Sequence, residues 1–336
     1  MKEKLMIFFT IIWAVIAIAA IVPSNKDIIA PGGLTEVQSV IEVDTDSQMS
    51  GSFNTIYVYS LERVSVLTAT IASFIDGIDV SDSSTSVQLS DEEIVLSGQV
   101  QKNQSIEAGL ICAYTEASKI NSNITIDYNF LGYIINIYQV NNEIFEIGDI
   151  ITSVYDKETN KSYDTINKKD LANAINNLNV DDKITLIRNG ENKEFTITKE
   201  FNNANLNRFS CYEKYEITNA SPSYNLHDSN TLGPSGGLLQ TLSIYSQITG
   251  IDLTYGKKIA GTGTIEVDGT VGPIGGISQK IITAIYSDAD VFLCPSYHYK
   301  EAYETYMKTK GHENMILLKV SSFTEAVSKL GELYAN

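Results

Sequence analysis

Leu232-Gly233-Pro234-Ser235-Gly236-Gly237 is followed by Leu238, Leu242, Tyr245 and Ile248, and then by Gly250. The spacing predicts a glycine-rich turn that feeds an amphipathic helix stopped by Gly250. Glycines let a backbone approach a substrate closely, and free amides at a helix start can hold a developing oxyanion. Ser235 sits where both advantages apply. A serine hydroxyl is nevertheless a poor nucleophile without a base to take its proton. Alone, the run reads equally well as an ordinary turn before a helix.

The candidate base lies downstream. Thr264 to Val267 and Thr270-Val271 read as a strand pair broken by Gly269 and Gly272-Pro273, and Gly275-Gly276 opens another helix. Ile277, Ile281, Ala284 and Ile285 form its apolar stripe. At 100° per residue Lys280 falls about 60° from Ile277 and about 40° from Ala284, at the edge of the buried face. Burial disfavours the charged amine, so such a lysine tends to become a base. Moving it from about 10.4 to a useful 7–8 takes roughly 4 kcal/mol of destabilised charge. The bland alternative is a lysine whose stem packs while its amine reaches water.

Composition removes several other chemistries. The chain has 336 residues, with 24 Lys and Arg against 41 Asp and Glu, a net charge of −17. That balance argues against a nucleic-acid binder, which needs surplus cations. The histidines, His227, His298 and His312, lack a neighbouring His or Cys at metal-ligand spacing, and the three cysteines form no disulfide framework. Cys112 and Cys294 read as small buried hydrophobes. Gly250 to Lys258 has the wrong spacing for a phosphate loop, and no Ser or Thr follows its lysine. Neither a metal, a cofactor nor a nucleotide is expected.

Leu5 to Val22 carries no charge, and as a helix it would be about 27 Å long, close to a bilayer's hydrocarbon thickness. Lysines before it and acidic sequence after it place the N-terminus inside and the bulk outside. Residues 1–24 are therefore expected to be cytoplasmic lysines and a single-pass anchor in the cell membrane. Ala17-Ile18-Ala19 offers a competing signal-peptide cleavage site.

Residues 25–128 mix a loosely alternating strand (Ser52 to Ser60), an apolar element expected to be buried (Ser65 to Phe74), a loop (Asp79 to Ser90) and a helix (Ser105 to Lys119). Residues 129–200 look like a separate domain. Leu131 to Ile135 is a strand, Gly148-Asp149 turns into another, and Asp170 is expected to cap a helix bearing Leu171, Ala174, Ile175 and Leu178. Asn189-Gly190 marks a closing hairpin. This order resembles a PDZ domain of the bacterial protease-associated kind. The resemblance implies extended-peptide binding by strand addition, with Phe130, Leu131, Gly132 and Tyr133 at the carboxylate-binding loop. A β-rich spacer without a ligand is the other reading.

Gly233 to Gly237, Gly261-Thr262-Gly263-Thr264-Ile265, Gly269 to Lys280 and Asp290 to Pro295 together resemble the proteolytic domain of the Lon family. The resemblance implies a Ser-Lys dyad with Ser235 as nucleophile, Lys280 as general base and Thr262 beside it. Backbone amides of Gly233, Ser235 and Gly236 would serve the oxyanion. Gly236 departs from the family's usual alanine, and Leu232 and Thr264 replace acidic residues of ATP-dependent Lon. Taken whole, the chain resembles bacterial membrane-anchored, PDZ-containing Lon-like proteases. The implied fold class is α+β: a transmembrane helix, and a PDZ domain inserted in or preceding a Lon-type domain at 201–336, with 25–128 packing on the latter.

The implied activity is an ATP-independent serine endopeptidase acting on exported peptides or flexible protein segments. Its partners are those substrates and the membrane; a homo-oligomer is compatible with the family. Two rivals remain. Gly233-x-Ser235-x-Gly237 also fits an α/β-hydrolase elbow, with Asp290 and then His298 or His312 in the right chain order. That elbow needs a buried strand before the serine, whereas Asn225 to Leu232 is polar and turn-like. The second rival is a peptide-binding scaffold with an inert protease-like domain.

Overall fold

A computed structural model describes residues 2–83, 89–138, 145–198 and 209–334. It opens with α1 (Lys2–Ile21), which has no buried side chain and is long and apolar enough to cross a membrane. Then come β1 (Lys26–Glu36), β2 (Ile41–Val43), β3 (Ser52–Leu61), α2 (Val66–Ala72), β4 (Asp79–Asp82) and α3 (Asp91–Ser118). Two expectations change here. The apolar stretch Ser65 to Phe74 is not a buried element: it forms α2 and the turn after it, with Ile71 53% and Phe74 84% exposed. Only Ala69 and Ala72 of α2 are buried, because so short a helix turns one narrow face inward. Helix α3 starts at Asp91, well before the predicted Ser105, and opens with a capping box between Ser90 and Glu93. Its first half is polar and carries no apolar stripe, so the sequence pattern concealed it.

The second group of strands is β5 (Thr125–Tyr138), β6 (Ile150–Asp156), β7 (Lys161–Asp164), β8 (Lys183–Arg188) and β9 (Glu191–Thr196), with α4 (Lys168–Asn176) between β7 and β8. Asn167, not Asp170, is the N-cap of α4; Asp170 donates its amide to the Asn167 side chain. Asn189 and Gly190 both take positive φ between β8 and β9, as the hairpin signal required. The chain returns through β10 (Phe209–Ser221) and β11 (Tyr224–Leu226) to α5 (Gly237–Thr249), β12 (Lys258–Gly261), β13 (Thr264–Ile265) and β14 (Val271–Gly272). It ends with α6 (Ile277–Tyr286), β15 (Val291–Pro295), α7 (Tyr299–Lys308), β16 (Ile316–Val320) and α8 (Phe323–Tyr334).

The first sheet has the order β16-β15-β12-β3-β1-β4, so strands from both ends of the chain meet in it. Its β16, β15, β12 and β3 are parallel, and β1 and β4 add antiparallel edges. Alternation along the strands fills two cores. Phe53, Ile259, Val291 and Leu293 pack with α3, α5 and α8; Ile56, Ala260, Phe292 and Cys294 pack with α6 and α7. Helices on both faces make this a mixed α/β arrangement. Helix α5 is buried all round from Gly237 to Ile248. The amphipathic helix expected there is instead a central one, wrapped by sheet, α3 and α8.

The second sheet, β10-β5-β6-β8-β9, has β7 on β6 and a core of its own around Ile135, Ile151, Leu171, Ile184 and Leu186. Every pairing in it is antiparallel. Helix α3 joins the two bodies. Ser97 and Gln101 hydrogen-bond the buried Asn136 of β5, and Glu107 takes the Tyr215 amide and the Lys214 ammonium of β10.

Candidate active site

The turn before α5 is fixed from three sides. Gly233 has φ of 85°, a conformation that costs a side chain strain, and its amide donates to Gly98 O of α3 at 2.9 Å. Ser105 Oγ of α3 donates to Pro234 O at 2.8 Å. The Ser235 carbonyl accepts from Gly263 N at 2.8 Å and from Thr262 Oγ1 at 3.0 Å. Ser235 itself is only partly buried. The backbone around the nucleophile is thus clamped while the side chain keeps access to solvent.

The departure from alanine at Gly236 has a physical reason. A Cβ there would lie 2.9 Å from Thr55 Cγ2 on β3 and 3.4 Å from Gln240 Nε2. Thr55 has no local signature of such a role, and it reaches the turn because β3 is the parallel neighbour of β12. Gln240 was also missed. It is buried in the first turn of α5, and its Oε1 has no hydrogen-bond partner among the described residues.

Lys280 sits on α6, and Thr262 just after β12. Thr262 is fully buried and Lys280 is 3% exposed. Lys280 Nζ donates to Thr262 Oγ1 at 3.2 Å, and that hydroxyl in turn donates to Ser235 O. Two hydrogen bonds therefore connect the amine with the nucleophile's own residue. Among the described residues no carboxylate pairs with Lys280. Burial alone pulls its amine down from the ordinary 10.5 to about 8. A substantial fraction is then neutral near pH 7–8 and able to accept a proton, as a general base must.

Among the three amides expected at an oxyanion site, Gly233 N is engaged by Gly98 O. Ser235 N and Gly236 N make no hydrogen bond among the described residues. The rival triad is not assembled. Asp290 accepts the Lys258 amide and faces Lys257, His298 Nε2 accepts the Ile274 amide, and His312 contacts Thr309 O. Residues 227–232 form no strand before Ser235. Among the described residues no group of His, Cys, Asp and Glu could hold a metal.

Phe130 to Tyr133 lie inside β5, not in a loop. One edge pairs with Tyr215, Lys214 and Glu213 of β10, and from Tyr133 onward the other edge pairs with β6. Phe130, Tyr133 and Tyr215 pack edge to face, with the Lys168 ammonium of α4 over Phe130 and Tyr215.

A buried lysine and threonine under a clamped, accessible serine define a serine hydrolase of the Ser-Lys type. Residues 207–330 match the Lon protease (S16) C-terminal proteolytic domain. This part of the chain is thus similar to a serine-peptidase domain of the Lon type, and β1, β3, β4 and α3 add to its sheet and to the contacts of the turn from outside the matched segment. Lon protease of Campylobacter jejuni is 30% identical over 115 residues, 32% of this chain and 14% of that protein. Lon protease of Rhizobium meliloti is 31% identical over 104 residues, 31% of this chain and 12% of that protein. The chain thus spans only a small part of the length of these relatives.

Proposed function

We propose that the protein is a membrane-anchored serine endopeptidase whose catalytic body lies outside the cytoplasmic membrane and works without ATP. The observation that carries the reading is the buried, uncompensated Lys280 amine joined through Thr262 to the Ser235 backbone. Neutral Lys280 accepts the Ser235 hydroxyl proton as Ser235 attacks a peptide carbonyl, and the free Ser235 and Gly236 amides stabilise the oxyanion. The lysinium so formed protonates the leaving amine. Water then hydrolyses the acyl-enzyme, with Lys280 again as base.

Extended, already exposed segments are the fitting substrates, since the sequence carries no nucleotide loop to drive unfolding. The second sheet supports a PDZ-like role in holding such segments. Its outer strands are β10, β9 and the short β7, and among the described residues β10 pairs only with β5. An incoming strand would therefore join β10 beside α4, not Phe130 to Tyr133. The test is cleavage of an unstructured reporter protein by the full chain in vesicles without nucleotide. Cleavage that Ser235→Ala abolishes supports the reading; cleavage unaffected by Ser235→Ala defeats it.

A further inference from the structure

Helix α1 does not end in a free linker. Ser24 N donates to Val64 O at 2.8 Å and Val66 N to Val22 O at 3.0 Å, while Pro23 bridges Ser65. These bonds fix the start of α2 at the end of α1, and the two helices pack together. The uncharged run Ser65 to Ile75 lies between Arg63 and Asp76. It exposes Val66 (40%), Ile71 (53%), Phe74 (84%) and Ile75 (49%) beside Thr68, Thr70 and Ser73, an uncharged surface that no other part of the described structure covers.

Thr68, Thr70 and Ser73 are exposed along this run, but their hydroxyls are bonded within it. Ser65 Oγ and Thr68 Oγ1 bond each other at 2.8 Å, Thr70 Oγ1 donates to Val66 O at 2.7 Å, and Ser73 Oγ to Thr70 O at 2.8 Å. The amides of Ser73, Phe74, Ile75 and Ile78 donate to carbonyls within the same segment. A surface facing water has no need to satisfy every hydroxyl internally, whereas one facing lipid does. Short segments with one apolar face and bonded polar groups lie in the headgroup boundary.

We propose that α2 and its following turn form a lipid-seating surface that rests on the outer leaflet where α1 emerges. This rests on the reading of α1 as a membrane span. Seating would fix the active site as well as the anchor. Gln279 Nε2, next to Lys280, donates to Gly77 O at 3.3 Å, and a Cβ on Gly77 would touch Ile282 of α6. Thr55, beside the nucleophile turn, is six residues along β3 from Leu61, which pairs with Ile28 just above the anchor. At 3.3 Å per residue that places the site about 20 Å from the seated end. Such a site reaches segments held close to the bilayer surface, and so favours substrates that are themselves tethered or newly emerged.

Quenching in vesicles of phosphatidylcholine and phosphatidylglycerol tests the proposal. Full-length protein carries an environment-sensitive fluorophore at Phe74→Cys in a Cys211→Ser background, with Tyr286→Cys as a control site at the far end of α6. Trp13, the one tryptophan, lies in α1 and reports the anchor independently. Acyl chains brominated near their ends should quench Trp13, midway along α1, and chains brominated near the headgroup should cut the Phe74 label about twofold or more, since interfacial faces sit ~5–10 Å deep. Aqueous iodide should reach only the Tyr286 label. If Trp13 is quenched by lipid while iodide quenches the Phe74 label, the anchor stands and the seating surface is overturned. A Phe74 label shielded from both quenchers means a protein covers the face, which overturns it too. Loss of lipid quenching at Trp13 defeats the anchor reading and the seating with it.

Discussion

Lys280, beneath the turn that carries Ser235, is 3% exposed, and Lys214, at the joint between the sheets, keeps 24% of its side chain exposed. Lys214 meets the Glu107 carboxylate of α3, whose own carboxyl is raised by burial and lowered again by that ammonium. Lys280 meets only the Thr262 hydroxyl. A partly buried lysine with a carboxylate partner makes an ion pair that orients two bodies. A buried lysine without one becomes a base. Greater depth and the lack of a carboxylate partner together separate chemistry from structure here.

The largest effect should come from the site itself. Ser235→Ala and Lys280→Ala are each expected to lower kcat/KM on an unstructured peptide by about 10⁴-fold or more, with circular dichroism unchanged. The stability of Lys280→Met should move the other way. Below pH 8 both the folded and the unfolded chain carry the Lys280 proton, but the folded chain carries that charge against the cost of burial. The gap between 10.5 and about 8 corresponds to about 3 kcal/mol. Lys280→Met should therefore gain up to about that much below pH 8 in urea titrations, and the gain should fade as pH rises toward 10.5. An equal loss at every pH would mean that the amine stabilises the fold.

Thr262→Val removes the shared hydroxyl and should lower kcat by up to about 100-fold through misplacement, with KM little changed. Gly236→Ala forces a methyl against Thr55 and should cost about 1–3 kcal/mol, relieved in part by Thr55→Ser. The smallest effect sharpens the contrast between the lysines. Glu107→Met combined with Lys214→Met should be near neutral, within about 1 kcal/mol, and should leave the pH profile of catalysis unchanged, because a partly buried pair can be replaced by packing.

The site was legible because its parts are local in sequence and chemically unusual. A serine within glycines and a lysine at the edge of an apolar stripe both announce themselves, and Thr262 came with the resemblance. What supports them was hidden. Gly98 holds the turn from a helix half that shows no apolar period, Ser105 from the first residue of the half that does, and Thr55 arrives through a parallel pairing across some two hundred residues. Long-range parallel pairing leaves no local mark. The apolar run at Ser65 to Phe74 misled for the opposite reason: hydropathy reports a preference to leave water, and a bilayer satisfies it as well as a core does.

The account turns on Lys280 acting as the base for Ser235. The rate at which a fluorophosphonate probe labels Ser235, followed against pH in the wild type and in Lys280→Met, tests that claim most directly. It should rise about tenfold per pH unit below the lysine's pKa, level off near pH 8, and lose that limb in the variant. A flat profile in the wild type, or equal labelling in Lys280→Met, would contradict it.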